Sequence, residues 1–322
     1  MRCLVTGATG FVGRRLVSAL TADGAFVRGA SRSGGGEAAE SVAVDLAELA
    51  PTSPICHGID VIYHLAARTH DMREAAGTEA EYWRINVEGT RRLIDAACRA
   101  GVRRFVFVSS VKAIDEGNRR PADETTPENP QTPYGWSKLE AEQIVRAAGS
   151  NGRIESVCLR FPLVYGPGQR GNMQRLIAAV RAGRFPPLPG GNLRSMLHID
   201  NAVAALRLAG SHPAAVGRTY IVTDGRPYET REIVDAIRVA LGRRPFRWHI
   251  PYAVFQLAAW GGDVARLVLR RRIGFDSAAL QKLLGAATYD SSAIARELGY
   301  RPARDLIESL TELLAEGGDD GP

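Results

Sequence analysis

The chain has 322 residues, enough for one large domain with a smaller one appended and short for three. Its 45% hydrophobic, 24% charged and 7% aromatic composition is that of an ordinary globular protein and excludes collagen-like and disordered classes. The formal charge is +6; the arginines are scattered among acids along the chain, Arg270-Arg271-Arg272 apart, with no basic run interleaved with aromatics, so no nucleic acid is expected as a partner.

Arg2 to Thr6 is an apolar run expected as a buried strand, followed by Gly7-Ala8-Thr9-Gly10-Phe11-Val12-Gly13 and a helix from Arg14 to Ala22. A strand, a glycine turn and a helix make the phosphate-binding opening of a doubly wound sheet: Gly7 for the turn, Gly10 for close approach of a pyrophosphate, Gly13 for helix packing. Helix N-terminal amides then face the phosphates. Phe26 to Arg32 reads as the second strand, and it ends in Ser31 and Arg32 where an acid would bind a ribose 2′-hydroxyl. A cation with a hydroxyl suits a 2′-phosphate, which favours NADP over NAD; the alternative is that Arg28 and Arg32 are surface residues of a strand edge. Ser33-Gly34-Gly35-Gly36 is expected as a flexible loop.

Ser41 to Leu46 is a third short strand, with Asp45 either near an adenine edge or capping the next turn. Asp60 to Ala67 is the fourth, ending in Leu65, Ala66 and Ala67, whose small side chains let a cofactor lie close; His64 within it reads as a hydrogen-bonded core residue. Apolar periodicity from Glu79 to Ala100 predicts a long helix stopped by Gly101, with Asn86 inside it, either bridging backbone groups beside the cofactor strand or merely exposed. Arg104 to Ser110 is the fifth strand, and strand ends of parallel sheets are where ligands bind. Asp115 to Pro133, with four prolines, is an irregular loop.

Tyr134-Gly-Trp-Ser-Lys138 opens the next helix, to about Ala148. Four residues make about one helical turn, so Tyr134 and Lys138 share a face, and a cation beside a phenol is expected to lower its pKa from ~10 toward working pH. Such a pair is common on helices, yet only Lys112, Lys138 and Lys282 are lysine among 41 basic residues, so a compact ammonium at 138 is notable. Arg153 to Leu159 is a sixth strand, followed by Arg160 to Gly168 as the exit from the first domain. Beyond it come a helix from Asn172, a proline- and glycine-rich loop at 186–191, a strand from Gly217 to Thr223, and a helix from Thr230 to Leu241. Tyr252 to Arg272 mixes an apolar face with basic residues and reads as a lid or core helix, with an interfacial membrane helix as the alternative. No stretch is long enough to span a membrane, and no fixed-period repeat is present. Cys3, Cys56, Cys98 and Cys158 show no paired spacing, so free thiols, no metal and a cytoplasmic location are expected; a chain opening directly on a strand leaves no room for a signal peptide.

These motifs together resemble the extended short-chain dehydrogenase/reductases, in the NAD-dependent epimerase/dehydratase group that acts on nucleotide sugars. The likeness rests on residues 6–13, His64 to Ala67, Asn86 to Thr90, Val108 to Ser110, Tyr134 to Lys138, Leu159-Arg160, Val164 to Pro167 and His198 to Asp200, and it covers nearly the whole chain. It implies an α/β fold: a doubly wound parallel Rossmann sheet over residues 1–167, regained by a segment near 195–225, with a smaller α/β substrate domain over 168–322. It implies a catalytic set of Ser110, Tyr134 and Lys138. It also implies a cofactor site of Gly7, Thr9, Gly10, Phe11, Val12, Gly13, Ser31, Arg32, Asp45, Leu46, Leu65, Ala66, Ala67, Asn86, Phe161 and Leu163 with the same Tyr134 and Lys138. Ser110, Asn172 and Arg194 would meet a UDP-sugar, His198 and Asp200 would brace a hinge, and the helices near 81–100 and 134–148 would pair in a homodimer. Dehydratases of the group place Asp-Glu after the catalytic hydroxyl, whereas Val111 and Lys112 follow Ser110 here. Ser31 in place of an acid tilts the expectation from a 4-epimerase with bound NAD to a 4-keto reductase with exchangeable NADPH; a steroid- or flavonoid-type reductase and a dinucleotide-sensing regulator are the other classes.

Overall fold

The structure, a computed structural model, describes residues 1–69, 79–114, 121–169, 171–269, 277, 280 and 285–316. Seven strands form one sheet: β1 (Arg2–Thr6), β2 (Phe26–Ser31), β3 (Glu40–Ala43), β4 (Val61–His64), β5 (Arg104–Ser110), β6 (Glu155–Phe161) and β9 (Thr219–Ile221). Their order is β3-β2-β1-β4-β5-β6-β9, and every pairing is parallel. The chain turns outward in both directions from β1 and β4, which leaves a crevice at the C-terminal ends of those two strands.

Alternation along the strands builds two cores. Cys3, Val5, Val61, Tyr63, Val106 and Leu159 face one side, with Leu16 and Leu20 of α1 (Phe11–Ala22) and Leu206 of a later helix, Ile199–Ser211. Leu4, Ile62, Phe105, Phe107 and Cys158 face the other, with Leu93 and Ala97 of Gly89–Arg99 and Ala141 and Val145 of Pro133–Ser150. Burial on both faces is why the strands read as continuous apolar runs.

Two compact units are present. The first comprises Met1–Val164, Leu197–Gly225 and Tyr289–Ala303; the second comprises Tyr165–Met196, Arg226–Thr288 and Arg304–Pro322. Tyr289–Ala303 lies in the first unit, unlike the sequence expectation, because Ile294, Leu298 and Tyr300 are buried in its core, and Tyr300 donates to the Thr223 carbonyl at 3.0 Å. A second sheet has the order β10-β8-β7, of β10 (Pro227–Glu229), β8 (Leu193–His198) and β7 (Leu163–Tyr165), with β10 and β8 antiparallel, and the second unit has a core of Tyr165, Ile177, Ile237 and Leu310.

Two local expectations change. The helix after residue 79 is not uniform: between α2 (Glu79–Tyr82) and α3 (Gly89–Arg99), residues Trp83–Glu88 form a π-helical stretch that carries Asn86. The 33–36 loop is packed rather than loose, because Gly35 lies on Gly29 so closely that a Cβ on Gly35 would sit 2.3 Å from the Gly29 carbonyl. Of the Asp115–Pro133 loop, residues 115–120 lie outside the described residues, as do Arg270, Arg271 and Arg272.

Candidate active site

The glycine loop is built for close approach. Gly7 adopts φ 71°, its amide is fastened to the Ala30 carbonyl at 2.8 Å, and a Cβ on it would meet the Ala66 nitrogen at 2.9 Å. A Cβ on Gly13 would lie 2.0 Å from the Gly7 carbonyl, so α1 and the glycine turn touch backbone to backbone. Gly10 caps α1 without a side-chain bond, and no acid stands in the first turn. The open amides and this cradle therefore suit a dinucleotide pyrophosphate.

Around that loop lie the half-buried Thr9, Phe11, Val12, Leu65, Ala66 and Ala67. Thr9 donates its hydroxyl to Ser31 at 3.1 Å; Ser31 also donates to the Gly34 carbonyl and accepts from the Ser33 amide at 3.2 Å. Ser31 thus ties the β2 exit to the glycine loop, while Arg32 beside it is exposed. Arg28 is not a surface residue: it is buried, bridging to Glu40 at 2.9 Å and donating to the Ile55 and His57 carbonyls. Asp45 caps the short turn Leu46–Glu48 through the Ala47 amide at 3.0 Å and reaches Arg84 at 3.3 Å, and Leu46 is buried in the core.

Asn86 spends both amide protons within the protein, on the Arg68 carbonyl at 3.1 Å and Ser137 Oγ at 2.9 Å, and accepts from the Arg68 amide at 2.8 Å. Ser137 in turn donates to the Tyr134 carbonyl at 2.8 Å. Asn86 therefore positions the β4 exit and the tyrosine helix, and its amide has no proton left for a cofactor. His64 has a defined tautomer. Thr90 donates to the Asn86 carbonyl at 2.6 Å, so its oxygen accepts from His64 Nε2 at 2.9 Å, leaving Nδ1 to accept from Thr6 at 2.6 Å. Burial drives its pKa down to about 3, which keeps it a neutral brace.

Tyr134 and Lys138 lie on α4 (Pro133–Ser150), whose N-cap Thr132 accepts from the Gly135 amide at 3.1 Å and whose first turn opens with Pro133. Ser110 at the end of β5 accepts from the Lys112 amide at 3.2 Å and hydrogen-bonds the Tyr134 phenol. Ser109 is buried on the opposite side of the strand. Lys138 Nζ donates to the Val108 carbonyl at 2.6 Å and lies 4.3 Å from the centre of the Phe107 ring. The expected lowering of the phenol by Lys138 is not what the structure has. Burial dominates and pushes Tyr134 up to about 12, with the Ser110 hydrogen bond acting against it, while burial lowers Lys138 to about 7 against the pull of Glu142.

That lowered lysine has a testable sign. Between about pH 7 and the ordinary lysine value of ~10.4 the unfolded chain binds a proton that the folded one has lost, so this site makes stability rise with pH in that window and level off below it. Lys138→Met should flatten that part of a Tm-against-pH curve; an unchanged slope would refute the assignment.

The sequence reading missed a buried ion cluster behind the lysine. Arg160 on β6 grips Glu142 at 2.7 and 3.2 Å and Glu128 at 2.7 Å, and Arg146 reaches Glu128 at 2.8 Å. The signal was present: an arginine in an otherwise apolar strand needs a buried partner, and Glu142 stands four residues past Lys138 on its face. Phe161, which follows, is buried with its carbonyl 3.5 Å from Ser110 Oγ, and Leu163 is exposed. In the second unit Arg194 is half-buried on β8 opposite Tyr228, and Asn172 opens Asn172–Arg181 with its side chain outside the described residues. His198 caps Ile199–Ser211 and Asp200 pairs with Arg15 at 2.6 Å, both bracing roles. All four cysteines are free, and no metal-binding cluster occurs among the described residues.

A glycine cradle at a topological switch point, with a serine, a tyrosine and a lysine at the next strand end, defines a dinucleotide-dependent oxidoreductase of the short-chain dehydrogenase/reductase class. The model of the NAD dependent epimerase/dehydratase family matches residues 3–223, and the chain belongs to that family. Similar curated proteins include the UDP-glucose 4-epimerase of Vibrio cholerae, 29% identical over 319 residues, covering 96% of this chain and 93% of that one. The 4-hydroxy-2-methyl-3-oxo-4-farnesyl-3,4-dihydroquinoline-1-oxide ketoreductase of Stigmatella aurantiaca is 33% identical over 316 residues, covering 93% and 92%. Among solved structures, MoeE5 in complex with UDP-glucose and NAD superposes with a TM-score of 0.76 at 29% identity, covering 96% of each chain.

Proposed function

We propose that this enzyme is a reductase of a 4-keto UDP-sugar that prefers exchangeable NADPH. The observation that carries the direction is Arg32, exposed beside Ser31 at the end of β2 where an acid would bind a ribose 2′-hydroxyl; burial also raises the Tyr134 phenol, so it stands protonated beside Ser110. A protonated phenol is a proton donor, which is what a carbonyl oxygen needs while hydride adds to its carbon. A nicotinamide dinucleotide held over Gly7, Gly10 and Gly13 would supply that hydride. Tyr134 gives its proton to the oxygen, and Ser110 donates a hydrogen bond to the same developing charge. Lys138, held by Val108 and Phe107, is placed for the nicotinamide ribose, and Gly7, Gly10 and Gly13 admit the pyrophosphate.

Likeness to a ketoreductase at 33% identity supports the same direction. Likeness to a UDP-glucose 4-epimerase and to a UDP-glucose and NAD complex favours a second reading, a UDP-sugar 4-epimerase with tightly held NAD. On the substrate side we assign Asn172 and Arg194 to the nucleotide diphosphate, and we extend the reading to a homodimer through the helices that expose Trp83 and Trp136. Absorbance decides between the two: protein purified without a dinucleotide, oxidising added NADPH with a UDP-4-keto-sugar, supports the reductase, and protein carrying bound NAD overturns it. A Tm unmoved by UDP, with NADPH oxidised by a lipophilic ketone, would overturn the sugar.

Arg32 carries the cofactor preference. Arg32→Asp should raise the KM for NADPH by roughly tenfold or more, as loss of a charge-assisted phosphate contact worth about 1.5–3 kcal/mol requires, while the KM for NADH holds or falls. Equal changes for both dinucleotides would show that Arg32 does not read the 2′-phosphate.

A further inference from the structure

The protein's charge is concentrated in one strip. Residues 243–272 contain seven arginines and one aspartate, so taking these from 41 Lys and Arg and 35 Asp and Glu leaves 34 of each in the remainder. The whole excess of +6 belongs to thirty residues, and the rest of the chain is balanced.

The same strip exposes the largest apolar side chains of the second unit. The helix Tyr252–Leu269 is apolar on two opposite sides. Phe255 and Ala259 turn inward and pack with Leu188 and Leu280. Ala253, Leu257 and Trp260, spaced i, i+4, i+7, form the opposite stripe; Leu257 and Trp260 are each 68% exposed, and Trp248 just before the helix is 63% exposed. Tyr252 and Val254 extend the apolar surface. Arg244 and Arg247 are exposed beside Trp248, and Arg243 anchors the segment by donating to the Val180 and Arg181 carbonyls at 3.0 and 2.8 Å. The single acid, Asp263, is engaged by the Ser277 amide and hydroxyl.

Tryptophan, tyrosine and leucine beside the exposed Arg244 and Arg247 are the composition of a surface that lies in a lipid headgroup region. A two-fold contact between copies would set this cationic strip against itself, which its charge disfavours. No described helix is long and apolar enough to cross a membrane, so the contact is peripheral.

We propose that the strip from Arg243 through Tyr252–Leu269 docks this enzyme on an anionic lipid bilayer, with Trp248, Leu257 and Trp260 among the headgroups and the arginines on lipid phosphates. Trp248, Leu257 and Trp260 are not among the residues assigned to the chemistry, Ser110, Tyr134 and Lys138, so loss of docking is read apart from turnover.

The test uses the full chain with vesicles of phosphatidylcholine alone and of phosphatidylcholine mixed with phosphatidylglycerol, read by co-sedimentation and by tryptophan emission. Binding should be confined to the anionic vesicles, weaken with salt and shift the emission to the blue. Arg244→Gln and Arg247→Gln should each lower the partition constant by roughly fivefold. Leu257→Glu and Trp260→Glu should abolish binding, while NADPH oxidation in solution and the Tm are kept, since both side chains are exposed. Absence of binding at low salt, equal binding to both vesicle types, or full binding by Leu257→Glu overturns the proposal. So does a wild-type oligomer that Leu257→Glu dissolves, which would make a second copy the occupant of this face.

Discussion

Tyr134→Phe lowers kcat by roughly 10²–10⁴-fold and leaves dinucleotide affinity within about twofold, because the ring stays and only the proton goes. The ring is held by contacts that phenylalanine keeps: it lies 5.9 Å from Tyr82 in an edge-on arrangement, on a helix whose entry is fixed by Thr132 and Pro133. What is lost is the O–H that Ser110 hydrogen-bonds. Steady-state rates with NADPH, paired with titration of dinucleotide binding by fluorescence, separate the two effects. A variant that turns over normally removes Tyr134 from the chemistry; one that also fails to bind the dinucleotide makes it a structural residue. Ser110→Ala should give a smaller loss, since one of two donors to the developing charge remains.

Arg160→Met costs roughly 3–5 kcal/mol of stability, among the largest effects expected of a single change outside the glycine cradle. Arg160 and Glu142 are both almost wholly buried and share two hydrogen bonds at 2.7 and 3.2 Å. Removing the guanidinium leaves a carboxylate in the interior, where the cation nearest to it is Arg146, with Nε 3.8 Å from Glu142 Oε1. Glu142→Gln has a distinct signature: the Glu142 charge raises Lys138, so its loss lowers the lysine below about 7 and displaces the pH dependence of stability toward acid. The double change to Arg160→Met with Glu142→Leu should recover much of the loss, because a packed apolar pair replaces an ion pair at little net cost. Urea unfolding of the three variants checks the order, and a double variant less stable than Arg160→Met refutes the pairing.

The two variants probe different legibility. Tyr134 and Lys138 stood out from spacing alone, and the glycines at 7, 10 and 13 from their place between a strand and a helix. Glu142 and Arg160 did not, although each carried a local oddity, because the pairing joins a helix to a strand across 18 residues. Asn86 was legible as an amide inside a helix beside the cofactor strand; that it spends its protons on Arg68 and Ser137 follows from a π-helical stretch that no periodicity announces. The 33–36 loop was misread because glycine runs promise freedom, whereas here the missing side chains let Gly35 and Gly29 pack backbone against backbone.

By itself the sequence determined the parallel sheet, the phosphate-binding turn and the shared helix face of Tyr134 and Lys138, since each depends on residue type at short spacing: apolar runs, glycines between elements, and one helical turn; Ser110 joined that pair only through the family resemblance. Only the tertiary structure decided the charge states. Desolvation and Coulomb forces depend on which groups are close in space, so a tyrosine expected to be lowered by its lysine is instead raised by burial, and that lysine's principal counter-charge is Glu142.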